Sequence, residues 1–253
     1  MTSVITIAVQ CHNFQRRFCW MLSSLAQQTK PGLIDVRVDH VDGNGTPSVE
    51  DLLKEFSGRV QSSSVAWAGL ERFQYRGLVR NDQIESCKTE WIMFGDCDMV
   101  YHPEYFERLA ELLRADHPMA TYMLSSGRTS NPKELTKAMV DESEAVRCSE
   151  VLSAFARASS LPRIRKGNVG AGFSQIVNVR HAPHGGYYVK ESENKDWRLD
   201  KRGWNTKSDM QFRKRISSLG GPRRPLPDWF SSNAIHLNHN RDPEAGRHIT
   251  EQR

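Results

Sequence analysis

Residues 94–98 read FGDCD, so two aspartates stand one residue apart directly after the apolar run Trp91-Ile92-Met93-Phe94. On an extended backbone, residues i and i+2 point to the same side. Asp96 and Asp98 can therefore face one hard cation, and magnesium or manganese takes oxygen ligands while leaving room for substrate phosphates. The plain alternative is a solvated loop. Near the other end, HLNHNRD places His236 and His239 three residues apart. Imidazole suits manganese and other transition ions better than magnesium. A third acidic residue, Asp209, lies in RGWNTKSDMQFRKR, at the start of a helical pattern. There it can deprotonate a hydroxyl or merely oppose the helix dipole.

These groups need a scaffold, and the first 125 residues supply an alternating one. VITIAV, LIDVRVDHV, VQSSSVAW, WIMFG and MATYML read as strands. RRFCWMLSSLAQQ, SVEDLLKEF, LVRNDQIESC and PEYFERLAELLRA read as helices between them. Phe18, Met21, Leu22 and Leu25 recur at helical spacing. Ser48 is placed to cap the second helix, with Asp51 in its first turn, and Pro103 to open the helix after WIMFG. Alternation of this kind predicts an α/β fold: a mostly parallel sheet with helices on both faces, in one domain. Ligands of such sheets bind beyond the carboxyl ends of the strands, where Asp96 falls. From Gly127 to Lys166 the pattern turns helical. AGFSQIVNV and NAIHLNH then read as further strands and SDMQFRKRISSL as a helix. The expected division is residues 1–125, a helical insertion over 126–166, and residues 167–253.

The chain has 253 residues, with 38% hydrophobic and 26% charged, ordinary for a globular protein. No apolar run reaches the roughly 18–20 residues of a membrane-spanning helix. MTSVITIAVQ reads as a strand rather than a signal peptide. The five cysteines (Cys11, Cys19, Cys87, Cys97, Cys148) are scattered and odd in number, which points to a reducing, cytoplasmic compartment. Charge is uneven. Residues 1–156 carry 16 Lys/Arg against 21 Asp/Glu, and residues 157–253 carry 19 against 9. The basic part is either a solvated face or a partner for an anion.

VQCHN at the end of the first strand, VDGNGT at the end of the second, YRGLVRND and the D-x-D together resemble the GT-A glycosyltransferases, in particular family 2 and its galactosyltransferase-like relatives. The resemblance implies a GT-A fold and a nucleotide-sugar donor. It implies that Asp42 binds uracil or ribose and that Gln10 and Cys11 touch the base. Asn13, Arg76, Arg80, Asn81, Asp96 and Cys97 would line the donor pocket, with Arg80 also open to a structural role. Asp98 would hold the metal. HNRD resembles the run that closes the metal shell in these relatives, which favours His239 as ligand with His236 beside it. RGWNTKSDMQFRKR resembles their acceptor segment. Asp209 would be the catalytic base, and Gly172, Trp204 and Arg215 would meet the acceptor. Gln10 stands where a proline is usual, and Ser208 where a glutamate is.

The combined expectation is a metal-dependent inverting glycosyltransferase moving a hexose, UDP-linked, to an acceptor hydroxyl with Mn2+ (or Mg2+). The basic C-terminal part suggests an anionic acceptor: nucleic acid, an acidic glycan or a lipid-linked phosphate sugar. A hydroxymethylated base in phage DNA is one such acceptor. The alternatives are a nucleotidyltransferase, which would want a glycine-rich phosphate loop that QCHNFQRR lacks, and a non-catalytic nucleic-acid-binding protein.

Overall fold

A computed structural model describes residues 3–41, 47–73, 75–115, 120–124, 128–129, 174–182, 208–218 and 220–237. The strands are β1 (Ile5–Cys11), β2 (Ile34–Val41), β3 (Ser62–Trp67), β4 (Trp91–Asp96), β5 (Met99–Tyr101), β6 (Thr121–Met123), β7 (Arg128–Thr129), β8 (Ser174–Asn178), β9 (Arg223–Pro225) and β10 (Ala234–His236). The helices are α1 (Gln15–Ala26), α2 (Val49–Phe56), α3 (Leu70–Phe73), α4 (Arg76–Glu85), α5 (Tyr105–Ala115), α6 (Ser208–Ser218) and α7 (Asp228–Ser232). Seven strands form one sheet in the order β3-β2-β1-β4-β8-β6-β9, and β5-β10-β7 form a second. The large sheet is parallel except for β8, which runs antiparallel to both β4 and β6. The expected α/β architecture is the one observed.

Alternation along the strands divides the core in two. Ile5, Ile7, Val9 and Cys11 of β1, with Val36 and Val38 of β2, join Phe18, Met21 and Leu22 of α1, Leu52 and Phe56 of α2, and Phe106 and Leu109 of α5. Ala8, Ile92, Phe94 and Val177 point to the other face, where Ile84 of α4 and Phe212 and Ile216 of α6 cover them. The helix α1 differs from the single apolar stripe that its spacing predicts. It is buried almost all round, Arg17, Ser23 and Ser24 included, and packs on both α2 and β5.

The Ser48 cap forms as expected. Its hydroxyl accepts the Asp51 amide, and the Asp51 carboxylate accepts the Ser48 amide in return, a full capping box. Pro103 does not open α5. The helix begins at Tyr105, whose amide donates to the carbonyl of His102, so Pro103 lies in the preceding turn. No helix among the described residues is long and apolar enough to cross a membrane. The expected insertion over 126–166 falls almost wholly outside the described residues.

Candidate active site

The site lies at the carboxyl end of β4. Asp96 is the last residue of that strand, in register with Gln10 of β1, and Gln10 is in register with Asp39 of β2. Cys97 and Asp98 form a tight turn into β5. The two carboxylates are therefore not presented by one straight strand. Asp98 is turned inward and is 3% exposed, whereas Asp96 stays partly open.

Antiparallel pairing of β10 with β5 sets His236 opposite Met99, and the Leu237 amide donates to the Asp98 carbonyl at 2.9 Å. The His236 Nε2 is then 3.1 Å from Asp98 Oδ2. One donor atom each from Asp96, Asp98 and His236 fall within 4.8 Å of one another. Donors on opposite sides of a divalent ion stand about 4.2 Å apart for bonds of about 2.1 Å, so a small shift of the partly exposed Asp96 is enough for the residues present to fit such a cation. Two carboxylate oxygens and one imidazole nitrogen form a mixed donor set of the kind divalent transition ions accept. Burial alone would lower the pKa of the His236 imidazole, but the Asp98 carboxylate and, beyond it, Asp96 outweigh that and raise it.

The helix α4 brings cations to the same edge. Arg76, its first residue, has its guanidinium 3.8 Å from Asp96 and about a quarter of its side chain exposed. Arg80 is 3% exposed and its guanidinium lies over the Phe94 ring at 5.3 Å, a structural placement. Asn81 follows it on a partly exposed position.

At the end of β1, Asn13 takes φ 57°, the left-handed conformation that asparagine tolerates better than most residues. Its side-chain nitrogen is 3.2 Å from His12 Nε2, while its Oδ1 is buried with no hydrogen-bond partner. Gln10 Nε2 is likewise buried and unpartnered. Buried polar atoms normally find partners, so both atoms are available to a bound solute. Cys11 and Cys97 present no such atoms. Their side chains sit in the core on the α1 side, 0% and 6% exposed. A hydrogen bond with Cys11, burial and the flanking aspartates push the Cys97 thiol well above the ordinary range, keeping it protonated. Any donor contact from these two would come from their backbone. His40, near Asp42 in sequence, points to the α1 and α2 face and lies 2.7 Å from Glu50.

The helix α6 runs antiparallel to β4. Phe212 stacks edge-on against Phe94, two residues before Asp96, at 6.2 Å. Five residues later Ser217 bonds Arg223, which is in register with Thr121 at the start of β6. The amino end of α6, with Asp209 in its first turn, is thus directed to the carboxyl edge. Arg215 is in its last turn, partly exposed and away from that edge. Trp229 is engaged by His102, Tyr105, Phe230 and the Arg108 guanidinium, so its ring belongs to the α5–α7 contact. Asp42, Gly172, Trp204 and His239 lie outside the described residues. Sequence reasoning missed Asp39, Arg37 and Gln83, whose buried hydrogen bonds tie α4 to the sheet.

A seven-stranded, mostly parallel sheet with an acid–acid–imidazole cluster at its carboxyl edge defines a GT-A glycosyltransferase architecture. The family model "Glycosyl transferase family 2" matches residues 6–164, and the chain belongs to that family. No curated protein sequence matches it. Among solved structures it is similar to S. aureus TarS, at 13% identity and TM-score 0.61 over 93% of this chain and 37% of that one. The 1–349 form of TarS in complex with UDP gives the same identity and score over 61% of its length. The mannosyltransferase PcManGT from Pyrobaculum calidifontis, in complex with GDP-Man and Mn2+, matches at 13% identity and TM-score 0.57, over 96% of this chain and 59% of that one. The chain thus spans about two fifths to three fifths of the length of these structures.

Proposed function

We propose that the chain is a metal-dependent, inverting glycosyltransferase that moves a hexose from a nucleotide-sugar, UDP-linked, to an acceptor hydroxyl. The observation that carries this reading is the approach of Asp96, Asp98 and His236 to one point at the carboxyl edge of a family 2 fold. The family favours it over a nucleotidyltransferase or a non-catalytic nucleic-acid binder.

Asp98, His236 and His239 would hold the cation, manganese before magnesium, with Asp96 between it and the ribose. The cation, when bound, supplies Lewis-acid stabilisation to the departing diphosphate. Arg76 adds a guanidinium suited to phosphate oxygens. Gln10, Asn13, Asn81 and Asp42 orient the nucleotide. Asp209 takes the proton from the acceptor hydroxyl, whose oxygen then attacks the anomeric carbon from the face opposite the nucleotide. Gly172 and Trp204 belong to the acceptor side.

The acceptor is an anion in this reading, because residues 157–253 carry the excess of basic charge. Among the described residues there, Lys214, Arg223 and Arg224 are exposed, with Arg223 level with the amino end of β6 rather than with Asp96. A hydroxymethylated base in DNA is one acceptor of this kind. The free cysteines among the described residues agree with a cytoplasmic site of action.

The test is a screen of nucleotide-sugars for manganese-dependent release of free nucleotide, followed by an acceptor screen. No release from any nucleotide-sugar, with or without manganese, would overturn the reading.

A further inference from the structure

Arg37 and Asp39 form an ion pair on the sheet face that α4 covers, and no step of the proposed reaction uses it. Asp39 is fully buried and Arg37 is 9% exposed. A buried ion pair contributes little net stability, and apolar residues of similar volume often serve as well or better. Its distinctive property is direction, since hydrogen bonds weaken steeply off axis where apolar contacts slide.

The bonds converge on one carboxylate. Asp39 Oδ2 accepts from Arg37 Nε at 3.0 Å and from Gln83 Nε2 at 2.8 Å. Its Oδ1 accepts from Arg37 Nη2 at 3.2 Å and from Trp67 Nε1 at 2.9 Å. The same Gln83 amide donates to the Val9 carbonyl of β1 at 3.2 Å. Arg37 Nη1 donates to the Asp82 carbonyl at 3.0 Å. Strands β1, β2 and β3 are in this way all bonded to the second half of α4 or to the carboxylate that holds it. Trp67 also packs on Phe73 and, with Val41 and Val79, closes the small core beside the start of α4.

A helix of this length is rigid over its roughly 15 Å. Where Asp82 and Gln83 are held therefore decides where Arg76, at the other end, stands relative to Asp96. We propose that Asp39 is a positioning residue: through Gln83, Trp67 and Arg37 it sets the rotation and shift of α4 that bring Arg76 to the diphosphate of the donor. This inference rests on the reading of the β4 edge as the nucleotide-sugar site.

The test is a double-mutant cycle on the full chain, read as UDP affinity by calorimetry with manganese present, and with GDP in parallel. Gln83→Leu removes the amide that joins Asp39 to α4. Trp67→Phe removes the indole N–H bond to Asp39 together with part of the indole and leaves an aromatic ring beside Phe73, so it stands in should Gln83→Leu fail to fold. Each single change should weaken nucleotide binding about tenfold, the scale of a hydrogen bond lost to a charged group. Combined with Arg76→Ala, neither should weaken it further, because contacts acting through one residue are not additive. Additive losses, or unchanged affinity in both single variants, would overturn the positioning role and leave Asp39 as scaffold alone. A wild-type chain that binds neither nucleotide would instead overturn the donor-site reading, and this inference with it.

Discussion

His236 Nε2 lies 3.1 Å from Asp98 Oδ2, although the two residues are 138 positions apart in the sequence. The pair exists because β10 runs antiparallel to β5, the three-residue strand that follows the D-x-D turn. Asp98 and the histidine are thus joined through the small sheet, whereas Asp96 ends a strand of the large one.

Asp98→Asn should reduce turnover at least a hundredfold, the order of effect seen when one preorganised charge-stabilising group is removed. The amide keeps the shape at a 3%-exposed position but loses the charge. The measurement is nucleotide release under limiting manganese, with circular dichroism as the check on folding. Wild-type rates would take Asp98 out of the metal shell.

His236→Ala should weaken manganese binding by at least tenfold, a scale already reached when groups that merely support metal ligands are changed. A parallel titration of His239→Ala ranks the two histidines. An unchanged manganese affinity in His236→Ala would leave this residue as a structural partner of Asp98.

Asp209→Asn should slow the chemical step by about 10²–10⁴-fold, the usual contribution of a general base, and leave nucleotide-sugar affinity intact. Single-turnover kinetics and calorimetry separate the two quantities. Lost donor affinity would move Asp209 to the donor side.

Ser48→Ala should cost about 1 kcal/mol of stability in urea unfolding, since it removes one half of the capping box on α2. Turnover should not change, because α2 packs on the face away from α4 and α6.

Much of this architecture was legible because β1, β2 and β4 are runs of apolar and β-branched residues and Ser48 precedes a helix with an acidic third position. The D-x-D was legible from residue type alone. Three things were not. NAIHLNH reads as a strand and HNRD points to a metal shell with Asp98, but β5 is too short for any periodicity, so the β5–β10 pairing that sets His236 opposite Met99 is not legible. The alternation in IDVRVDHV looks like a strand with one wet face, yet Arg37 and Asp39 are buried because they satisfy each other beneath α4. The direction of β8 depends on where a long connection returns, which local pattern does not encode. The β9 arginines illustrate the same limit. The basic excess of residues 157–253, to which they belong, suggests an anionic acceptor, but Arg223 is level with the first residue of β6, at the end of the sheet opposite Asp96. A polyanion touching both would have to run the length of the strands.

The position of β10 also bears on how the protein is made. A ribosome releases the chain from its amino end at about 5–20 residues per second. Strands β1, β2 and β4 and the aspartate turn emerge first, and His236 follows roughly 7–28 seconds after the turn at such rates. During that interval the nascent chain carries the two aspartates without the imidazole that later faces Asp98. In the proposed reading the three donors come together only when β10 pairs with β5, so a cation site would be completed by the last of the described strands to be synthesised.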